Sequence, residues 1–206
     1  MILALAVACG VGLTISPAGA GTVLRGKVTF PAMASAKLPS AREAAPDYSD
    51  LVIYVSQKPG EKPLSGRAKD QDLDLTDLRF EPRVLAITVG SKVRFRNQDH
   101  VYHSIFSVAS GGRTEVGSLA PGAKAEVAFD HAGVNNLFCT LHPAAAGFIV
   151  VCPNWFHTGT NAAGEYALPP LPRGSYVVHA WHPLLGAIQR PVEVTGHDKR
   201  QFDLSF

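Results

Sequence analysis

Leu137-Phe138-Cys139-Thr140-Leu141-His142-Pro143 is the stretch on which the reading of this 206-residue chain turns. Residues 134–139 are a strand-like run that leaves the turn Ala132-Gly133, carries Cys139 to its end and passes into a short loop holding His142. Runs of the same kind recur outward in both directions, at 22–30, 51–56, 84–89, 92–96, 104–108, 123–129, 148–151, 165–168, 175–181 and 191–194. Turn signals separate them at Val89-Gly90-Ser91, Ser110-Gly111-Gly112, Pro121-Gly122 and Arg173-Gly174. Helix-period segments are nearly absent, and 19 Gly and 15 Pro suit a chain of many short strands. The expected fold class is all-β, a sandwich or barrel.

Charge narrows the range of partners. With 19 basic and 17 acidic residues the formal net charge is +2, and no run of Lys or Arg reads as a phosphate-binding stripe, so nucleic acid is not expected as a partner. No charged side chain occurs from Met1 to Leu24, and the small residues Pro17-Ala18-Gly19-Ala20 close that apolar stretch. This predicts a signal peptide over residues 1–20, cleaved after Ala20, and an exported protein with no membrane span once it is removed. The competing readings are a retained membrane anchor and a lipid-modified Cys9.

Composition shifts divide the rest. Residues 57–69 are rich in Pro, Gly, Lys and Ser and read as an exposed connection, and Cys152-Pro153-Asn154 marks a second break. Residues 67–153 are expected to form one compact domain. The flanks, residues 21–66 and 154–206, each look incomplete, because a stray pair of strands has nothing to bury against. They are expected to join into a second small sandwich with the central domain inserted between its early strands.

Within the central segment, Asp99-His100-Val101-Tyr102-His103-Ser104 follows the strand at 92–96. In a Greek-key sandwich this junction and the Cys139 loop can meet at one end, presenting His103, Cys139 and His142 to a common point. A thiolate with two imidazoles and a weak axial position is the electron-transfer copper geometry. Zinc would take the same donors, but a structural zinc site closes with a fourth strong ligand, and none is evident.

Residues 80–151 resemble the plastocyanin and amicyanin type of cupredoxin. The likeness is carried by Phe80-Glu81-Pro82, by Val89-Gly90-Ser91-Lys92-Val93-Arg94-Phe95-Arg96-Asn97, by His103-Ser104, by Leu119-Ala120-Pro121-Gly122, and by Cys139-Thr140-Leu141-His142-Pro143 with Gly147-Phe148-Ile149-Val150-Val151. The whole chain is similar to secreted bacterial proteins of the methylamine-utilisation or plastocyanin-like type. In these a cupredoxin accompanies a carboxypeptidase-regulatory or transthyretin-like sandwich, to which Gly164-Glu165-Tyr166-Ala167-Leu168 and Trp181-His182-Pro183 correspond. The resemblance implies a Greek-key cupredoxin sandwich plus a transthyretin-like β-sandwich, one copper ion on His103, Cys139 and His142, and a periplasmic or secreted location. The family pattern also places an axial Met three residues after the second His, where this chain has Ala145. Neither Ala144 nor Ala146 can replace it, and Met33 is distant in sequence.

Other residues have plainer readings. After leader cleavage only Cys139 and Cys152 remain. An exported protein often pairs two cysteines, but on consecutive antiparallel strands these two fall at opposite ends, so free thiols are expected. His100 is read as solvent-facing or near the site, and His131 as a turn residue. His179 and His182 are read as pointing to opposite faces of one strand, and His157 and His197 have no evident partner. Phe95, Phe106, Phe138 and Phe148 are read as core, and Asn97 and Asn135 either as stiffeners of the ligand loops or as plain turn residues.

Three functions follow in order. The first is an exported, monomeric copper protein that passes single electrons to a transient redox protein partner. The second is an envelope copper carrier or tolerance protein without electron transfer, and the third a metal-free adhesion or binding module. An enzyme is not expected, since no nucleophile sits beside a base and no carboxylate pair stands out.

Overall fold

The computed structural model describes residues 21–30, 48–58, 64, 68–196 and 199–206. The leader at residues 1–20, Met33 and His197 lie outside them. The described residues form strands and turns with no helix, so none is present that could cross a membrane.

In chain order the strands are β1 (Val23–Thr29), β2 (Val52–Gln57), β3 (Gln71–Thr76), β4 (Arg79–Glu81), β5 (Val84–Thr88), β6 (Ser91–Asn97), β7 (His103–Ala109), β8 (Gly112–Leu119) and β9 (Lys124–Phe129). They continue with β10 (Gly133–Cys139), β11 (Ala146–Cys152), β12 (His157–Gly159), β13 (Glu165–Ala167), β14 (Gly174–His182), β15 (Gly186–Val194), β16 (Lys199–Gln201) and β17 (Leu204–Ser205). The chain is thus all-β.

Two pairs of sheets bury two separate cores. A five-stranded sheet in the order β5-β11-β10-β7-β8 and a four-stranded sheet β4-β3-β6-β9 share a core that includes Leu73, Phe80, Phe95, Ile105, Leu137 and Ile149. Alternation explains why these sequences take this form: β6 buries Ser91, Val93, Phe95 and Asn97 and turns Lys92, Arg94 and Arg96 outward, the period-2 pattern of a half-buried strand. The second core, which includes Leu24, Val28, Ile53, Val55, Phe156 and Val178, lies between β12-β2-β14-β15 and the sheet built on β1, with β13 and β16 on either side and β17 also paired to β1.

β3 was not among the expected strands, because Asp is depleted in sheets. Here the alternating Asp72-Leu73-Asp74-Leu75 puts both leucines in the core and both carboxylates on the outer face. In parallel register Asp72 faces Arg94 and Asp74 faces Arg96. Arg96 donates to both carboxylate oxygens of Asp74, at 2.5 and 2.7 Å, a bidentate pairing that outweighs the low propensity.

β3 and β4 are joined by a tight turn in which Asp77 and Leu78 both have positive φ, 52° and 60°. Leu78 is 40% exposed, and the hydrogen bond that its amide donates to Asp99 at 3.0 Å is one that a glycine would keep. Leu78→Gly is expected to stabilise the protein by about 0.5–1 kcal/mol, the relieved backbone strain less the extra freedom of glycine in the unfolded chain. A higher urea midpoint with an unchanged slope checks this.

The outer face of β5 and β11 carries a third small cluster, Val52, Val150 and Cys152 packed with Tyr54, Val84, Ala86 and Trp181, which joins the two cores. Phe148 meets Trp181 edge-on there, with ring centroids 5.4 Å apart. The thiols of Cys139 and Cys152 are both free and buried. In the antiparallel pairing Gly133 faces Val151 and Phe138 faces Ala146. The two cysteines therefore stand about 23 Å apart along the ladder at ~3.3 Å per residue, far beyond disulfide reach. Burial in this apolar junction pushes the Cys152 thiol well above its ordinary value.

Candidate metal centre

One end of the first sandwich gathers three donors. β7 begins with His103 and β10 ends with Cys139, and the two strands pair antiparallel with Cys139 opposite Ile105. The Thr140 amide donates to the Ser104 carbonyl at 2.9 Å, extending the pairing by one rung. The chain then turns back tightly: the Ala145 amide donates to the His142 carbonyl at 2.9 Å. That turn brings His142 against the end of β7.

The Cys139 Sγ lies 3.6 Å from His103 Nδ1 and 3.7 Å from His142 Nδ1. All three donor atoms lie within 4.8 Å of one another, and they form the one such group of three among the described residues. His103 and Cys139 are buried and His142 is half-buried. A metal with bonds of about 2.3 Å to sulfur and 2.0 Å to nitrogen would set the sulfur about 3.5 Å from each nitrogen at a tetrahedral angle and about 3.7 Å at a trigonal one. The two sulfur-to-nitrogen distances therefore fit a small soft-to-borderline ion. A lone S–H, in contrast, can donate to only one of the two imidazoles.

Two polar residues frame the site. Buried Asn97 donates through Nδ2 to the carbonyls of Val101 at 2.7 Å and Leu119 at 3.0 Å, while its Oδ1 accepts from the Asp99 amide at 3.0 Å. It ties both ends of the loop before His103 to the start of the next loop, the stiffening reading rather than the plain turn reading of this residue. Asn135 is buried near the far end of the sandwich, in the wall of a cleft formed by Ala109–Gly112 and Ala128–Gly133, away from the ligand loops. Asp99 was passed over in the sequence. Its Oδ2 accepts from His103 Nε2 at 2.9 Å. The residue pattern Asp-x-x-x-His was the available signal, but a carboxylate four residues before a histidine is common in loops. Burial raises the Asp99 carboxyl, but hydrogen bonds from His103 and from the Leu78 and Asp77 amides outweigh it and hold the group below the usual carboxylate value.

Ala145 is 1% exposed and packs into the core beside Cys139, so the position that resembles the axial one holds a buried methyl group and no side-chain donor. Around His142 the surface is apolar and open: Leu141 is 53% exposed, and Pro143 and Ala144 are exposed.

Of the other histidines, His100 is exposed, the first of its two readings, and His131 lies exposed in the bend between β9 and β10. His179 and His182 fall on opposite faces of β14: His179 stacks on Tyr54 with centroids 4.6 Å apart, and His182 is buried near Phe30. His157 does have a partner, the Thr88 hydroxyl at 3.2 Å, which the sequence could not show because the contact crosses between the two pairs of sheets. The aromatic reading needs correction as well. Of Phe95, Phe106, Phe138 and Phe148, Phe95 alone is a fully buried core residue. Because Cys139 points inward, its neighbour Phe138 must point outward, where it is 38% exposed and stacks on Phe106 at 5.4 Å. The Arg113 guanidinium covers Phe106 at 3.8 Å.

No family model matches the chain, and no curated protein matches it. Among solved structures, it is similar to a mutant of amicyanin in its Cu(I) state, with 24% identity and a TM-score of 0.38 over 48% of this chain and 97% of that one. It is also similar to a purple cupredoxin from Nitrosopumilus maritimus, with 26% identity and a TM-score of 0.36 over 39% of this chain and 97% of that one. A copper-containing nitrite reductase from Thermus scotoductus SA-01 shares 25% identity at a TM-score of 0.37, over 46% of this chain and 24% of that one. These likenesses each span less than half of the chain, and the two-sheet sandwich described above rests on its own strands and core.

Proposed function

We propose that this chain is an exported copper protein in which His103, Cys139 and His142 hold one copper ion and pass single electrons. The observation that carries this reading is the buried thiol with two imidazole Nδ1 atoms facing it at 3.6 and 3.7 Å. When bound, copper supplies a one-electron redox change, and thiolate with imidazole is the donor set suited to both of its oxidation states. The chain's own residues then do the rest. Two paired strands hold His103 and Cys139 in a packed core, which limits their movement when charge changes. Half-buried His142 provides the edge nearest solvent, and the exposed Leu141-Pro143-Ala144 rim suits brief, small docking of a redox protein.

The reading extends to organisation and place. Residues 67–153 are the copper domain. Residues 21–66 and 154–206 together make the second sandwich, supported by a core that draws on Leu24, Ile53, Phe156 and Val178 alike. The uncharged stretch to Ala20 favours a periplasmic or secreted location. We read the chain as a carrier rather than an enzyme. A copper carrier without electron transfer is the second reading, favoured by Ala145, since a site without an axial thioether exchanges metal more readily.

Titrating the mature protein with Cu(II) and recording its visible spectrum tests the first reading, with reduction and reoxidation following on the same sample. His103→Ala is expected to weaken copper binding and change the spectrum. Copper bound with an unaltered spectrum would remove His103 from the ligand set. A copper centre that could not be cycled would favour the carrier.

A further inference from the structure

A cleft of about 530 Å³ opens between the two pairs of sheets. The first sandwich supplies Lys69, Gln71, Thr88 and Ser91 to its wall, and the second supplies Trp155 and His157. Thr88 ends β5 and pairs with Cys152, the last residue of β11, whereas the first residue of β11, Ala146, adjoins the loop that carries His142. The cleft is therefore separated from the three donors by the length of β11. Its wall is held in place. Thr88 Oγ1 and His157 Nε2 lie 3.2 Å apart and join the two sandwiches. The Lys69 amide donates to the Oγ of fully buried Ser91 at 3.1 Å, and Asp70 accepts from the Lys92 amide at 3.2 Å. The backbone that carries the Lys69 side chain is thus fixed to the start of β6.

The polar part of this wall is a set of donors without acceptors. Among the described residues the Lys69 ammonium has no carboxylate partner, and neither the Trp155 indole N–H nor the Gln71 side-chain amide has a hydrogen-bond partner. An exposed lysine without a partner is ordinary, but the N–H of a half-buried indole usually finds one. Among the described residues no carboxylate lines the wall. Burial pushes the His157 imidazole below its ordinary value, so the ring is neutral near pH 7 and Lys69 supplies the formal charge. The rest of the wall is apolar, with Ala86 and Ile87 of β5 beside the indole ring. An apolar pocket of this size with a few polar groups at its edge has the form of a small-molecule site.

We propose that this cleft binds a small organic monocarboxylate, with its carboxylate on Lys69 and the Trp155 N–H and its apolar body against Ala86, Ile87 and the indole ring. Charge and donor count set the class. One ammonium balances one negative charge, and the two oxygens of a carboxylate accept from both donors at once. A phosphate brings more charge than Lys69 balances and has no body to lay on the apolar floor. A neutral amide of the same shape would set its NH₂ against a donor of the wall.

The experiment is a titration of the metal-free full chain with benzoate, followed by ¹H–¹⁵N NMR and calorimetry, with benzamide and inorganic phosphate titrated for comparison. The expected result is saturable movement of the Trp155 indole and Lys69 amide signals, with a dissociation constant of about a millimolar or tighter. Benzamide and phosphate should each bind about tenfold more weakly or not at all. Lys69→Gln is expected to weaken benzoate binding by about tenfold or more, the loss of one charge-assisted hydrogen bond, and Lys69→Arg to retain most of it. Lys69 is exposed, so neither substitution disturbs the fold, and unchanged signals away from the cleft check this. No saturable shift at the Trp155 indole would overturn the proposal. So would benzamide or phosphate binding as tightly as benzoate, or a benzoate affinity unchanged in Lys69→Gln. None of these readouts depends on the metal centre.

Discussion

Cys139→Ser is expected to abolish the intense sulfur-to-copper charge-transfer band and to lower copper affinity by more than the roughly 10–100-fold that loss of an outer partner of a ligand costs. The band requires a thiolate, and Cys139 is the one thiol in the site: Cys152 lies at the other end of β11, buried in the junction with Val52 and Trp181. Serine keeps nearly the same shape but offers a hard hydroxyl that does not ionise near neutral pH, a poor donor for copper in either oxidation state. The fold should persist, because Cys139 sits at the rim of a core whose larger members, such as Leu137, Ile105 and Phe95, are unaffected. Absorption spectroscopy and copper analysis after gel filtration check this. A Cys139→Ser protein that kept the band would place the thiolate elsewhere and end the site assignment.

Gly26→Ala is expected to cost about 3 kcal/mol, the upper part of the range for overpacking. A Cβ at Gly26 would overlap the Phe202 carbonyl oxygen and stand 2.6 Å from its carbon, with Tyr166 Cε1 at 3.0 Å. The backbone there cannot give way cheaply. The Phe202 amide donates to the Arg25 carbonyl at 2.7 Å, the Tyr166 hydroxyl donates to that same Phe202 carbonyl, and Lys27 N–H donates to Asp203 at 2.8 Å. The lesion falls wholly in the core shared by β1, β2 and β14. If the flanks form a domain of their own, thermal unfolding of Gly26→Ala should split, with the flank transition lowered and the copper band surviving to a higher temperature. Simultaneous loss of both would show that the Val52–Cys152–Trp181 junction fuses the two cores into one cooperative unit.

Much of the β-structure was legible locally. β1, β2, β5–β7, β9–β11, β13 and β14 coincide with runs of apolar alternation and the turn residues that bound them, because a half-buried strand records its faces every second residue. The strands that escaped notice lack this record or carry it in residues that argue against a strand. β8 is almost wholly exposed and shows no alternation, β16 is exposed throughout, and β3 alternates Leu with Asp, a residue that argues against a strand until Arg94 and Arg96 stand beside it. β15 begins at Gly186, five residues before the expected run, since its first half is mostly exposed and shows no buried alternation.

The sequence by itself determined the all-β class and singled out His103, Cys139 and His142, because a strand end, a short loop and a soft-donor pattern are all contained within a few residues of one another or of a turn. The tertiary structure alone decided how those donors converge, through the β7–β10 register that sets Cys139 opposite Ile105. It alone turned Phe138 outward onto Phe106, gave His157 the hydroxyl of Thr88, and brought the Asp77–Leu78 turn onto Asp99. The reason is physical. Alternation and turn chemistry are properties of neighbouring residues, whereas a hydrogen bond between groups 21 or 69 positions apart exists only once the sheets have chosen their order and register.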